Sequence, residues 1–201
     1  MPPVLAELRR EHPGVDVKLV ATNAVRDLRR READIAVRSG RPTDPNLIAT
    51  RLRDTPARLY ATPSYLRQIG NPTSADELGR ADFIGFSDDD RFMNGMNALG
   101  FQLSTRNFPI HTENHMVLWE LVKQGLGIGV IIDEVGDAEP LVQRVLPDMS
   151  PIPVPAWLVA HREVHTSRRV RVVFDLISEH LGPSRRTPPP ARAAKRRKKR
   201  R

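Results

Sequence analysis

The chain has 201 residues, with 32 Lys/Arg against 24 Asp/Glu and no cysteine. That length suits one large domain or two small lobes. The missing cysteines exclude disulfides, thiol catalysis and cysteine metal sites, and they fit a reducing cytoplasm. No run is long and apolar enough for a membrane helix, and the charged opening MPPVLAELRREHPG is not expected to act as an export signal.

The basic excess is local. Residues 182–201 hold ten Lys/Arg and no acid, so the rest of the chain is slightly acidic. A Pro- and Arg-rich segment with so few apolar residues cannot bury enough surface to fold, so a disordered tail is expected. It would either be a solvated tail or touch nucleic acid weakly through charge alone.

In chain order, Met1–His12 reads as a helix with prolines in its first turn and a Val4, Leu5, Leu8 stripe. Val15–Ala21 alternates apolar and polar, as a half-buried strand does. Thr22 or Asn23 then caps a short helix over 24–31. Strands are expected at 33–37, 47–53 and 57–61, and a helix at 63–69. Ser74 to Glu77 is a capping box opening another short helix. Further strands are expected at 82–86, 101–103, 108–111, 141–145 and 156–160, with a helix over 91–99 and an irregular acidic stretch over 133–139. A proline-rich link spans 147–155. Thr166 is placed as the cap of a last helix striped by Val170, Val173, Phe174, Ile177 and Leu181. Alternating strands and helices predict an α/β fold with mostly parallel sheets.

The most informative stretch is Thr112–Ile132, TENHMVLWELVKQGLGIGVII. It reads as a helix capped by Thr112 or Asn114, a stop at Gly125, and a buried strand. Gly125, Gly127 and Gly129 mimic a dinucleotide fingerprint. That motif needs strand, glycine loop and then helix, and the order here is reversed. Tight turning and close helix–sheet packing explain the glycines better. In an α/β sheet, strand carboxyl ends and helix N-termini line the ligand crevice, and a helix N-terminus favours an anion. Asn114 and His115 are therefore the first candidates for a small-molecule site.

The segments PPVLAELRREHPGVDVKLV, DLRRREADIAVRSGRPTDPNLIATRL, RLYATPSYLRQIGNPTSADEL, ENHMVLWELVKQGLGIGVI and RVLPDMSPIPVPAWLVAHRE, in this order, resemble the effector-binding domain of LysR-type transcriptional regulators. The resemblance spans roughly residues 2–181. It implies a two-lobed periplasmic-binding-protein-like (type 2) fold. Lobe I would be 1–61 plus 156–181 and lobe II 62–155, with a small, anionic effector in the cleft between them. By position the pocket falls on Thr22, Asn23, Arg38, Ser39, Ser87, Asn114 and His115. Arg38 would grip a carboxylate or else make a surface or inter-lobe ion pair. Thr22 and Asn23 would line the pocket or simply cap a helix. The resemblance also implies a homodimer, with Leu5, Leu8, Leu118, Trp119 and Val122 in its interface rather than in the core. Full-length relatives carry a helix-turn-helix, a linker helix and a first strand that have no counterpart in these segments, so DNA binding would belong to a part this sequence does not show. An incomplete regulator fragment is one alternative, and a periplasmic-type solute-binding protein, which would need export, is another.

Other chemistry is weakly supported. His111 and His115 have the i, i+4 spacing of a zinc pair, but a strand end and a helix start separate them. Asp88-Asp89-Asp90 lacks the spacing of a calcium loop. Gly85-Phe86-Ser87 lacks the second glycine of a nucleophile elbow, so a hydrolase is the enzyme alternative and a non-enzyme the expectation. No metal, cofactor or membrane association is expected.

Overall fold

The computed structural model describes residues 1–21, 33–86 and 90–183. In chain order its elements are helix α1 (Pro2–Glu11), strands β1 (Ile35–Arg38), β2 (Leu47–Arg51) and β3 (Thr55–Ala61), α2 (Pro63–Gln68), β4 (Ile84–Phe86), α3 (Asp90–Ala98), β5 (Ile110–Thr112), α4 (His115–Lys123), β6 (Gly129–Ile132), α5 (Asp133–Gly136), β7 (Gln143–Arg144), β8 (Ile152–Val154), β9 (Trp157–His161), α6 (Arg162–His165) and α7 (Arg168–Leu181). Short 3-10 turns cover Asp76–Arg80 and Thr105–Asn107.

These strands make two main sheets. One has the order β1-β9-β2; the other runs β6-β3-β7, with β8 also on β3. Both are antiparallel. Among the described residues, parallel pairing is confined to β4 with β5 and a bridge from Phe83 to Ile128. The expected mostly parallel architecture is thus corrected. The reason lies in the route of the chain. It leaves the first sheet after β2 and returns to it as β9, which enters between β1 and β2 and runs against both. β3, the strand that enters the second sheet, likewise runs against each of its neighbours.

Three buried clusters hold the elements. Val4 of α1 packs with Leu52, Leu158, Ala160, Phe174 and Ile177, joining α1 and α7 to the first sheet. A larger cluster around Leu59, Phe83, Met96, Phe101, Phe108 and Ile128 fills the second. Between α4 and that sheet lie Tyr60, Ile84, Leu118, Trp119 and Val122. Leu8, Leu118, Trp119 and Val122 are 1%, 3%, 7% and 0% exposed. They are core, not the interface the resemblance implied, and Leu5 is half-buried. On α4 the exposed apolar residues are Met116 and Val117.

Other expectations need correction. Val15–Ala21 forms no strand, and Val17, Leu19 and Val20 stand exposed. Alternation supplies a pattern but no partner, and among the described residues nothing pairs with this segment. Residues 101–103 are also not a strand. The side-chain amide of Asn97 takes the place of a ladder partner, donating to Leu103 O at 2.9 Å and accepting from Leu103 N–H at 2.7 Å. The stretch after Ile132 is not irregular throughout but contains α5, and the proline-rich link contains β8. Thr166 does not cap α7. Its hydroxyl donates to Glu163 O, and Ser167 holds the N-cap position. The expected helix over 24–31 and residues 184–201 of the expected basic tail lie outside the described residues.

The glycine stretch behaves as read. Gly125 has φ +75, and the N–H groups of Gly125 and Leu126 close back on Val122 O and Leu121 O, a Schellman stop. A Cβ on Gly129 would lie 2.5 Å from Val122 Cγ2, so this glycine lets α4 sit directly on β6. Behind it, α5 is tied to β3. The Tyr60 hydroxyl donates to Asp137 Oδ1 at 2.8 Å, and Arg144 grips the same carboxylate with two nitrogens. Those bonds, Arg144 first and Tyr60 second, pull Asp137 down to a pKa of about 2. Burial in turn pushes the Tyr60 phenol up. No described helix is long and apolar enough to cross a membrane.

Two outcomes follow. Gly129→Ala will lose about 1–3 kcal/mol of stability in urea unfolding, because helix and strand must separate to admit the methyl group. Asp137 has a folded pKa below its ordinary value of 3.8, so its contribution is present above that pH and fades as pH falls toward about 2. Asp137→Asn will melt earlier at neutral pH and show a flatter decline through that acid window in thermal melts.

Candidate functional site

The carboxyl ends of the parallel strands β4 and β5 point the same way. Phe86 pairs with Thr112 there, and the chain turns from β5 directly into α4. Asn114 is the N-cap. Its side-chain oxygen accepts from Met116 N at 2.9 Å and Val117 N at 3.3 Å, and its own N–H donates to Thr112 Oγ1 at 3.1 Å. Two of the free donors of the first turn are therefore already satisfied from within. What Asn114 can still offer a ligand is its amide nitrogen.

His115 lays its ring on Phe86, with centroids 4.1 Å apart and planes at 36°. Its outer side is exposed, yet water lost from the stacked face pulls the imidazole below its ordinary pKa of 6.5. At neutral pH it is an uncharged ring with polar edges. The ring of His111 packs over Gly85, where a Cβ would lie 2.6 Å from His111 Cδ2. Both histidines thus serve as packing rings on successive residues of β4. Among the described residues, no group of three or more His, Asp or Glu side chains is close enough to hold a metal ion.

Arg38 ends β1 and is paired with Trp157, the first residue of β9; Arg51, at the end of β2, is paired with the same tryptophan from the other side. This end of the sheet is where the chain crosses over, at Leu52–Asp54 and Pro155–Ala156. Arg38 Nε is shielded from solvent and has no hydrogen-bond partner. Ser39 follows it on the surface. The guanidinium groups of Arg41 and Arg51 lie over the Trp157 ring, 5.5 and 5.4 Å from its centre. Arg51 also bonds Asp54.

Thus the structure keeps Asn114 and His115 together at the α4 start, and Arg38 and Ser39 together at the end of β1. Thr22, Asn23 and Ser87 lie outside the described residues. Phe86, Arg41, Arg51 and Trp157 were not among the sequence candidates. A usable signal for two of them existed: Arg51 and Trp157 fall at strand ends next to the crossovers, as Arg38 does. A cavity of about 700 Å³ opens elsewhere, between α1, α7, α4 and α5, lined in part by Val4, Arg53, Trp119, Val135 and Leu181. None of the described candidates lines it. Its charged lining is mixed, with Glu134 and Glu139 alongside Arg53 and His180.

Comparison with known proteins places this geometry. The family model described as the LysR substrate binding domain matches residues 1–182. The HTH-type transcriptional regulator CrgA of Neisseria meningitidis is 27% identical over 186 residues, covering 90% of this chain and 62% of CrgA. The solved regulatory domain of CrgA superposes with a TM-score of 0.75 at 25% identity, over 90% of this chain and 91% of that one. The full-length virulence activator AphB of Vibrio cholerae shares the fold, with a TM-score of 0.70 at 21% identity over 89% of this chain and 63% of AphB. The chain spans less than two thirds of the length of the curated relatives it matches. With the α/β, periplasmic-binding-protein-like architecture and the match over nearly its whole length, the chain belongs to the LysR substrate-binding domain family.

Proposed function

We propose that this domain binds a small anionic effector between two lobes, one built on the β1-β9-β2 sheet and one on the sheet around β3, and that binding shifts the conformation of a homodimer. The observation that carries the reading is Arg38. A guanidinium nitrogen shielded from water without an acceptor is costly for the protein alone, about 1–3 kcal/mol for a buried unmet donor. A carboxylate would supply what it lacks. The strand ends, the α4 start with Asn114 and His115, and Ser39 are the accompanying wall. Thr22, Asn23 and Ser87 remain proposed members of that wall through the family resemblance. The effect of a ligand on the dimer must come from different affinities for two arrangements. DNA binding in this reading belongs to segments that the relatives carry and this chain does not display, and the relatives' roles as regulators support a non-enzyme. The dimer face is moved from the buried residues to the exposed ones, Met116 and Val117 on α4.

A thermal-shift screen of small carboxylates, amino acids and aromatic acids checks the site. A ligand at about a hundred times its Kd adds about 2.7 kcal/mol to a folded state it binds exclusively. Arg38→Gln will keep the unliganded transition and lose the ligand shift. Asn114→Ala will lower the unliganded transition as well, since the loss of an N-cap costs about 1 kcal/mol. A set of hits that Arg38→Gln leaves untouched sinks the placement. For the dimer, sedimentation of the Met116→Lys, Val117→Lys double variant is expected to show at least a tenfold weaker self-association with an unchanged far-UV circular dichroism spectrum. Equal association in the two proteins would move the interface elsewhere.

A further inference from the structure

Three guanidinium groups and one indole converge where the first sheet meets the crossovers. Directly paired residues of antiparallel strands project to the same face. Ile35, Ile48, Leu158 and Ala160 face α1 and α7, so the alternate positions Arg38, Trp157 and Arg51 form a row on the opposite face. Trp157 is the middle of the row. Arg41 reaches the same ring from the loop after β1. Stacking on an indole holds a guanidinium in place, so its fork is already oriented when an anion arrives.

The charges in this cluster do not balance. Arg51 has Asp54 as a partner. Among the described residues, neither Arg38 nor Arg41 has a carboxylate within ion-pair reach, and Arg38 Nε lacks any acceptor. Two unmatched guanidinium groups beside one aromatic ring are the complement of two negative charges, each able to accept paired N–H bonds.

We infer that the Arg38–Trp157–Arg51 row, with Arg41, selects a dicarboxylate over a monocarboxylate as the ligand of this domain. The inference rests on the effector-binding reading above and names the ligand class for that site. Because the row stands beside both crossovers, the ligand it holds touches the segments that join the two sheets.

The test is calorimetric titration of the whole chain with matched pairs, succinate against butyrate and phthalate against benzoate, with inorganic phosphate as a separate arm. At least one dicarboxylate is expected to bind ten or more times tighter than its monocarboxylate partner. Arg41→Gln and Arg38→Gln should each weaken it tenfold or more and bring the ratio toward one. The chain has two tryptophans; ligand-dependent quenching should be present in the wild type and absent from Trp157→Phe, with Trp119 left as the control. Arg67→Gln, on α2, should change nothing. Equal affinities within each pair, or full affinity in Arg41→Gln, overturns the inference. Phosphate binding as tightly as the dicarboxylate overturns it too, since charge alone would then suffice. Neutral or monoanionic ligands that stabilise the wild type and Arg41→Gln alike overturn the inference and leave the effector site standing. No binding by any compound in either screen removes both.

Discussion

Everything else in this chain depends on the two crossovers between its sheets. Leu52–Asp54 carries the chain out of the first sheet and Pro155–Ala156 brings it back. The two are bound to one another, since Leu52 N–H donates to Ala156 O at 2.9 Å. Next to it, Arg53 N–H donates to Leu181 O at 2.9 Å and ties the outgoing segment to the end of α7. Leu52 itself is 2% exposed and belongs to the α1–α7 cluster. The crossing is thus a hydrogen-bonded, partly buried seam. It explains why β3 and β9 run against their neighbours, and why Arg38, Arg51 and Trp157 collect at a single end.

The sequence was most legible where the structure is local. α4, its glycine stop and β6 were readable because helical periodicity, an αL glycine and an apolar run each act over a few residues. The close fit of Gly129 under Val122 follows from the same pattern. Strand direction was not legible, because a strand carries no local mark of which neighbour it will meet or which way that neighbour runs. Val15–Ala21 shows the limit from one side, with a strand pattern and no partner among the described residues. Leu103 shows it from the other: its backbone is satisfied by Asn97, a residue that reads only as part of a helix.

An apolar stripe poses a similar ambiguity. Leu118, Trp119 and Val122 look the same in sequence whether they meet this chain's sheet or another copy. The packing decides it, with Tyr60 edge-on to Trp119 at 6.1 Å and Gly129 under Val122. Once those three point inward, helical geometry turns Met116 and Val117 outward. The candidate site was half legible in the same sense. Strand ends and helix starts pointed to Arg38 and Asn114, but not to how far each is already committed within the protein.

That commitment separates the candidates. Asn114 spends its carbonyl oxygen on the first turn of α4, and His115 spends a ring face on Phe86. Both side chains are held in place within the protein, and groups fixed in advance give shape and orientation at little entropic cost. Arg38 is different. Its Nε is withdrawn from water with nothing to receive its hydrogen; Arg51 and Arg41 are held against Trp157, and of these arginines only Arg51, with Asp54, has an acidic partner among the described residues. Folding has therefore placed one unmet donor, Arg38 Nε, beside the stacked Arg41 and Arg51 at the seam where the chain changes sheet. An anion that meets them adds its interaction energy at the part of the chain through which any change between the two sheets must pass.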